Sequence, residues 1–351
     1  MQEPIVINGS HGEGGGALLR TALVMSALTQ IPLRIHNIRG ALRKPGLNSE
    51  DLLVLAILSA SCRAEVEGDD LGSLDVRFAP SRPPRAVDQR FDIGAYEKGS
   101  VSGSAPVVVE SVLPVLIRAG AYSRLSVLGE THGQNTLGFD AFERSALSAH
   151  RAQGVCAFPS LVSAGYGTGA VGEMRLDIEP SLPNSVDWSG RGDLVKCGAV
   201  VSYSGLSDDI AARGVRHLRK GLVDMSAEAD IEAMALPSKG AGISVTVFAE
   251  YENGRGSATV NGQRGVKIEN VVDNAIRAFE EWVRSGASVD PFLADQMLLL
   301  GIQAQGKTVY STQRVTRRLT TMVWVSKQFM PLHMTVKGAE GFPGVVSIEN
   351  I

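Results

Sequence analysis

Apolar positions along the chain alternate between two spacings, and the alternation follows a fixed order. Short segments in which every second residue is apolar predict strands, and longer segments with apolar residues three or four apart predict helices. The first units predicted in this way are strands at residues 4–8, 33–37, 64–67 and 74–78 and helices at residues 17–30 and 49–61. Their order along the chain is β-α-β-α-β-β.

The same order recurs further along the chain, which indicates an internal repeat. The second copy has helices at 107–119 and 139–152 and strands at 123–128 and 174–178. A third copy has helices at 269–285, 292–300 and 320–329 and strands at 332–336 and 345–348. Residues 194–264, which precede this third copy, have a different apolar spacing. They have their own strands at 243–249 and 257–260 and a charged helix at 207–220.

The pattern therefore predicts an α+β fold of repeated β-α-β-α-β-β units with a smaller inserted α/β domain. We place the first two repeats at residues 1–185, the inserted domain at 186–267 and the third repeat at 268–351.

The net charge and the apolar content limit the kinds of molecule that the protein can be expected to bind. The formal net charge of −3 gives no general attraction to nucleic acid, so a phosphate-bearing partner has to be held by a local group of arginines. No apolar stretch is long enough to cross a bilayer, and no apolar segment follows Met1. We therefore expect a soluble, cytoplasmic protein without a membrane partner.

The most informative local pattern is the glycine loop, residues 12–16, which reads Gly-Glu-Gly-Gly-Gly and leads into an apolar helix carrying Arg20. Glycines allow close approach of the backbone to a ligand, and amides at a helix start favour anions. The loop residues predicted to bind a nucleotide are Gly12, Glu13, Gly14 and Gly15. Glu13 would repel a bare phosphate, so we interpret it as the ligand of a divalent cation that is bound to the nucleotide phosphates. Arg20 would face the same phosphates. A loop that serves packing alone is the competing interpretation.

Four segments give the chain a family resemblance. They are the glycine loop with residues 18–20, Ile38-Arg39 with residues 44–47, residues 112–114 reading Val-Leu-Pro, and residues 292–296 reading Phe-Leu-Ala-Asp-Gln. With these segments the chain resembles the RNA 3′-terminal phosphate cyclase family over essentially its whole length. The resemblance implies a fold akin to that of the enolpyruvyl transferases. It also implies that ATP and a divalent metal such as Mg²⁺ adenylylate a histidine, that AMP passes to an RNA 3′-phosphate, and that the 2′-hydroxyl then forms a cyclic phosphate.

The resemblance also assigns roles to single residues. It makes Glu13 the metal ligand, Arg20 and Arg39 phosphate-facing arginines, and Asp295 and Gln296 nucleotide contacts. The position of the nucleophilic histidine falls on Arg318. A guanidinium stays protonated and cannot attack phosphorus, so the covalent step of the family is ruled out at this position.

Other departures accompany this one. Leu42 stands where the family has a second arginine, and Glu50 and Glu110 replace two family glutamines. Because several polar positions of the site differ together, the sequence indicates divergence toward a different task.

Further candidates remain open from the sequence. His11 and His132 are each either a general base, a phosphate ligand or a histidine that bonds its own loop. Arg314, Arg317 and Arg318 are either a cluster that holds a phosphate or a solvated loop of charge. Lys307 or Lys327 could in principle replace the nucleophile, but helix spacing makes Lys327 a poor candidate.

Residues 301–308 match the pattern of a phosphate loop, G-x-x-x-x-G-K-T. A phosphate loop needs a strand before it and a helix after it, whereas here a helix precedes and a strand follows. We therefore interpret the match as chance, with Gly306 as a helix C-cap.

Two hypotheses of function follow. The favoured one is an enzyme that binds ATP and Mg²⁺ and activates the phosphate of an RNA 3′ end or a small phosphorylated substrate without a histidine–AMP intermediate. The alternative is a non-catalytic scaffold that binds RNA or protein. An enolpyruvyl-type transferase is remote because no matching site residues are found. A homodimer stays open.

Overall fold

The computed structural model describes residues 2–96, 103–167, 169–223, 225 and 228–350. Its first unit contains β1 (Ile5–Asn8), α1 (Gly16–Thr29), β2 (Leu33–His36), α2 (Ser49–Cys62), β3 (Glu65–Glu67) and β4 (Asp75–Ala79). These strands form a sheet in the order β1-β2-β4-β3, in which β1 and β2 are parallel and the other pairs antiparallel.

The second unit has the same topology. It contains β5 (Asp88–Asp92), α3 (Ala105–Leu116), β6 (Ser123–Gly129), α4 (Phe139–Ala141), α5 (Leu147–Ala152), β7 (Ala157–Ser163) and β8 (Gly172–Ile178). The sheet order is β5-β6-β8-β7, again with the first pair parallel. The helix predicted over 139–152 is interrupted by a π-helical turn at Phe142–Ala146. Strands β5 and β7 were not predicted from the sequence.

The third unit starts with the two-residue strand β9 (Asp187–Trp188), and the insertion follows it at once. The insertion contains β10 (Leu194–Ser204), α6 (Asp208–Gly221), β11 (Asp230–Ala235), β12 (Gly242–Tyr251), β13 (Gly254–Asn261) and α7 (Ile268–Ser285). Its sheet has the order β11-β10-β12-β13. Helices α6 and α7 pack on this sheet around a second hydrophobic core that includes Phe279 and Trp282. Packing thus groups α7 with the insertion, although the sequence-based boundary at 267/268 assigns that helix to the third repeat.

The chain then completes the third unit with α8 (Pro291–Gln296), α9 (Leu298–Gln303), β14 (Gly306–Thr312), α10 (Arg317–Phe329), β15 (His333–Lys337) and β16 (Gly344–Asn350). The sheet order β9-β14-β16-β15 repeats that of the first two units, and β9 and β14 are the parallel pair. The predicted repeat and its interruption are therefore confirmed. The insertion lies between the first strand and the first helix of the third unit.

The helices of the three units share one large core. Helix α1 packs against α2, α3 and α10, which explains why ten of its residues are buried and why apolar residues surround it on most sides. The contact between α1 and α10 joins the first unit to the third. It brings together chain segments that carry most of the predicted site residues.

Two sequence-based expectations are tested directly by the elements. Residues 301–308 run from the end of α9 into the start of β14, so the match to a phosphate loop lacks the strand-to-helix setting it needs, as predicted. The C-cap of α9 is Ala304, however, and Gly306 opens β14 with φ +88°, so the predicted C-cap role of Gly306 is wrong.

None of the helices within the described ranges combines the length and the apolar character that crossing a bilayer requires.

Candidate functional site

The glycine loop lies between β1 and α1 and is held against α10. Gly12 and Gly14 have φ values of +59° and +61°, in the left-handed region that favours glycine. A Cβ on Gly12 would clash with the side chain of Thr321 in α10, so glycine is needed for this close approach. The backbone N–H of Glu13 donates to Thr321 Oγ1 at 2.9 Å. These contacts fix the loop to the last helix of the chain.

The Glu13 side chain turns back toward the start of α1. Its Oε1 accepts a hydrogen bond from the Leu18 amide at 3.0 Å. A Cβ on Gly15 would lie 2.4 Å from Glu13 Oε2, so glycine at this position leaves room for the carboxylate. A negative charge beside the amino end of a helix is favourable. Glu13 thus has a structural role in capping α1, in addition to any role in binding a metal.

Arg20 and Arg39 converge on the same end of α1. Arg20 lies one turn into the helix, and Arg39 follows β2 with a left-handed φ of +49°. A Cβ on Gly16 would lie 2.4 Å from Arg20 Nη1 and 2.9 Å from Arg39 Nη2. The structure therefore brings the glycine loop and both arginines together.

Both guanidinium groups face carboxylates that begin α2. Arg39 Nη1 donates to the carbonyl of Gly46 at 3.0 Å and to Asp51 Oδ2. Arg20 Nη1 lies 3.5 Å from Glu50 Oε2 and 3.5 Å from Asp51 Oδ1. Burial alone would lower the pKa of Arg39, but the hydrogen bond and charge of Asp51 raise it above its usual value. The two arginines predicted to face phosphate are thus ion-paired within the protein.

Asp51 and Glu50 have further backbone partners. Asp51 is fully buried and accepts from the Asn48 amide at 3.1 Å, which forms a capping box at the start of α2. Glu50 Oε1 accepts from the amide of Ser104, the N-cap residue of α3, at 2.7 Å. Glu50 therefore links the site to the second unit of the repeat.

Asp295 and Arg318 form the second half of the site. Asp295, at the end of α8, is 2% exposed. Its Oδ2 accepts from Arg318 Nε at 2.7 Å, and its Oδ1 accepts from the hydroxyl of Thr316 at 3.1 Å. Thr316 also caps α10, since it accepts from the Leu319 amide at 3.0 Å. Arg318, 40% exposed in its side chain, is held in place by a buried carboxylate.

The two halves are close enough to interact electrostatically. Burial raises the pKa of Asp295. The charge of Arg318 and the hydrogen bonds from Arg318 and Thr316 oppose that rise, whereas the negative charge of Glu13 adds to it. Gln296, the other predicted nucleotide contact, is half-buried at the end of α8.

Carboxylates outnumber guanidinium groups across the site. The three arginines at positions 20, 39 and 318 carry +3, and the four carboxylates at positions 13, 50, 51 and 295 carry −4, which leaves −1. These seven side chains alone therefore do not neutralise a phosphate. Within the described residues no three His, Cys, Asp or Glu side chains are grouped to hold a metal ion. One carboxylate, Glu13, is compatible with Mg²⁺, which proteins often bind through one or two carboxylates together with substrate phosphates.

The two candidate histidines lie in different places. His11 is exposed beside the glycine loop, where its ring stacks on Trp324 of α10 with 3.7 Å between centroids. His132 is 2% exposed and lies between the second unit and the insertion. Its Nδ1 is 2.9 Å from Thr131 Oγ1, and its Nε2 is 3.4 Å from Asp140 Oδ2. The structure thus groups His11 with the site, and it places His132 in a separate buried cluster.

Arg314 and Arg317, the other members of the predicted cluster, are exposed at the start of α10. The Arg317 carbonyl accepts from the hydroxyl of Thr321, the residue that contacts the glycine loop, at 2.7 Å. The three arginines are therefore neighbours at one helix end, and of the three it is Arg318 that pairs with Asp295.

Comparison with known proteins gives a consistent picture. A family model described as RNA 3′-terminal phosphate cyclase matches residues 11–336. A protein of that name from Methylococcus capsulatus is 34% identical over 344 residues, which cover 97% of this chain and 95% of the relative. Another from Ralstonia nicotianae is 32% identical, with 98% of this chain and 96% of the relative covered.

Among solved structures, the enolpyruvyl transferase NikO from Streptomyces tendae aligns with 99% of this chain and 48% of its own, at 12% identity. Its TM-score of 0.35 is too low to support an argument about fold or function. The family model and the curated relatives, by contrast, extend over nearly the whole sequence. The chain belongs to the RNA 3′-terminal phosphate cyclase family.

Proposed function

We propose that this family member binds ATP with Mg²⁺ at the site around Glu13 and activates the phosphate of an RNA 3′ end, or of a small phosphorylated substrate, without a protein–AMP intermediate. The observation that carries the proposal is the ion pair between Arg318 and Asp295. It occupies the position to which the resemblance assigns the nucleophilic histidine. A guanidinium paired with a buried carboxylate supplies positive charge and hydrogen bonds, and it supplies no lone pair for attack.

Bound ATP would supply an AMP group to activate the substrate phosphate. For a direct reaction, an oxygen of the substrate phosphate attacks the α-phosphorus, the bond to the β-phosphate breaks, and pyrophosphate leaves. On an RNA end, the 2′-hydroxyl then loses its proton and attacks the terminal phosphorus, and AMP leaves. Neither step needs a protein nucleophile. Both need correct positioning and neutralisation of charge on phosphate oxygens.

The contacts support a division of roles between the arginines. Arg39 is buried and holds Asp51 and the Gly46 carbonyl, so it supports the loop. Arg20 meets Glu50 and Asp51 only at 3.5 Å, which is the outer limit of a hydrogen bond. We therefore assign contact with the nucleotide phosphates to Arg20. Arg318 would neutralise charge on the substrate phosphate, and Glu13 would hold the metal ion.

Labelled nucleotide tests the proposal. The protein is incubated with Mg²⁺, ATP labelled at the α-phosphate and an RNA ending in a 3′-phosphate, and the label is located after acid quenching. We expect free labelled AMP, a phosphatase-resistant RNA end and no label on protein. Label on the wild-type protein would refute the direct route. Unchanged ATP with an unchanged RNA end would refute activation of RNA ends.

A gain-of-function variant sharpens this test. Arg318→His places an imidazole, which can attack phosphorus, at the position that the resemblance assigns to the nucleophile. If ATP and Mg²⁺ bind as proposed, this variant should retain labelled AMP on the protein. Arg314→His, at an exposed position just before α10, is the matched control and should retain none.

A non-catalytic scaffold is the second candidate. Glu50 and Asp51 already neutralise Arg20 and Arg39, so these arginines have partners in the protein without a bound phosphate. Calorimetric titration with MgATP separates the two candidates. Binding that is lost in Glu13→Ala and in Asp295→Ala favours the enzyme. Absence of binding to the wild-type protein, whose fold is verified by circular dichroism, favours the scaffold.

A further inference from the structure

One face of α10 presents a stripe of exposed and partly exposed side chains. The stripe consists of Arg317, Thr320, Trp324, Lys327 and Gln328, whereas most other residues of this helix are buried. The members are three or four positions apart, so they line one side of the helix. The stripe begins next to Arg318 and extends about 15 Å to Lys327, at 1.5 Å per residue. It therefore leads directly away from the proposed site.

An aromatic pair lies in the middle of the stripe. The ring of His11 is stacked on Trp324, with 3.7 Å between centroids and an interplanar angle of 23°. His11 is exposed and directly precedes Gly12 of the glycine loop. Trp324 is partly buried against the main core, so the accessible face of the pair at the edge of the site is that of His11. Nucleobases stack on such surfaces regardless of sequence.

The far end of the stripe meets a basic groove of about 610 Å³ on the third sheet. We call it the lysine groove. Its charged members are Lys307, Lys327, Lys337 and Glu349, which give a net charge of +2 when His333 is neutral. Lys307 and His333 flank Glu349 on the neighbouring strands β14 and β15. The groove is thus locally positive in a chain whose net charge is −3.

We propose that the α10 stripe and the lysine groove bind single-stranded RNA immediately upstream of its 3′ end. This inference rests on the proposed function, and it selects an RNA end over a small phosphorylated substrate. Proteins that bind single strands combine a positive groove along the backbone with aromatic side chains on which bases stack. Here Arg317, Lys327 and the lysine groove supply the charge, and the exposed His11 ring, held in place by Trp324, supplies the stacking surface.

The length of the stripe sets the size of the bound segment. About 15 Å corresponds to about four stacked nucleotides at 3.4 Å each. A dinucleotide bound by its 3′-phosphate would end before the lysine groove. The protein should therefore bind an octanucleotide more tightly than a dinucleotide of the same 3′-terminal sequence.

Equilibrium binding without ATP tests the inference independently of catalysis. Fluorescence anisotropy is measured with an octaribonucleotide and a dinucleotide, both carrying a 3′-phosphate. Trp324→Ala should weaken octamer binding about tenfold. Replacing both Lys327 and Lys337 by alanine should reduce the slope of log K against log salt by about 0.7 per lysine. Dinucleotide binding should change little in either variant.

The controls use other features of the chain. Lys239→Ala changes an exposed lysine of the insertion and should leave octamer binding unaltered. Trp188 and Trp282 are 4% and 1% exposed, so quenching of accessible tryptophan fluorescence by the octamer should come from Trp324. Lys327→Glu, at an exposed position, provides a second variant if Trp324→Ala does not fold.

Several results would overturn the inference. Unchanged octamer affinity in the stripe and groove variants would overturn it. That is the result expected if this face binds a protein and not RNA. An equal loss of dinucleotide affinity would also do so, since it would locate the effect at the site itself. If the labelled-ATP experiment failed while octamer binding still depended on Trp324 and Lys327, the proposed function would fail and the RNA-binding surface would stand.

Discussion

At the scale of single residues, Asp290 shows how closely the site and the insertion are connected. It caps α8, the helix that carries Asp295, by accepting from the amides of Phe292 at 2.8 Å and Leu293 at 2.9 Å. It also accepts from the amide of Ser257 in β13 at 3.1 Å. Burial raises the pKa of Asp290 to about 6, although these backbone donors oppose the rise. One carboxylate thus joins a strand of the insertion to the helix of the site.

This raised pKa predicts a pH dependence of stability. Between about pH 4 and pH 6 the unfolded chain has lost the Asp290 proton while the folded chain retains it, so stability falls as pH rises. We expect the wild-type protein to lose about 3 kcal/mol relative to Asp290→Asn across this range. Urea unfolding at pH 4, 5, 6 and 7 measures the difference. Asp193→Asn, at an exposed position, should show no such trend, and parallel curves for wild type and Asp290→Asn would refute the assignment.

The site was only partly predictable at this scale. Gly12, Glu13, Arg20 and Asp295 lie in local patterns that can be recognised from sequence. Asp51 was missed, although Asn48 three positions earlier is the signature of a capping box. No local pattern marks Thr321, because its partner Glu13 is 308 positions away in sequence. The ion pairing of Arg20 and Arg39 depends on packing between elements, which periodicity does not reveal.

At the scale of elements, the start of α1 combines two roles in one carboxylate. Glu13 caps the helix through Leu18, and we propose that it also holds the metal ion. Loss of a cap costs about 1 kcal/mol of folding stability, whereas loss of a metal ligand impairs nucleotide binding without unfolding the helix.

Two substitutions should separate these roles. Glu13→Gln keeps an oxygen acceptor for the Leu18 amide, so we expect near-normal thermal stability and strongly weakened MgATP binding. Glu13→Ala should lose both, with a free energy of unfolding lower by about 1 kcal/mol. Thermal unfolding and calorimetric titration give the two readouts. Normal MgATP affinity in Glu13→Gln would exclude a metal-binding role for the charge.

Elements with clear periodicity were predicted well, and the others were not. Helices α1 and α2 were predicted to within one residue at each end. Strand β5 reads Asp-Gln-Arg-Phe-Asp and has no apolar alternation, since it lies at a sheet edge beside β6. Strand β11, also at an edge, was missed as well.

At the scale of the whole molecule, the chain has two hydrophobic cores. The larger is shared by the three repeats, and the smaller lies between the inserted sheet and helices α6 and α7. The two bodies meet through polar contacts that join no apolar core, such as Arg255 Nε to Ser148 Oγ at 3.0 Å and the Ala164 amide to the Pro237 carbonyl at 2.7 Å. We therefore expect the cores to unfold separately.

Calorimetry with one variant in each core checks this expectation. Trp282→Ala in the insertion should cost about 3–5 kcal/mol and lower one thermal transition. Phe78→Ala in the first repeat should lower the other by a similar amount. Both side chains are almost fully buried, at 1% and 0% exposed. A single transition that shifts as a whole in both variants would show instead that the two bodies unfold together.

The contact between Glu13 and Thr321 has a consequence for protein synthesis. Translation at about 5–20 residues per second takes roughly 15–60 s to pass from the glycine loop to Thr321. During that time the first repeat can fold, but the loop has no α10 to rest on, and Asp295 has no Arg318. Until α10 is made, the glycine loop lacks its contact with Thr321. We therefore expect the proposed site to form only when synthesis is nearly finished.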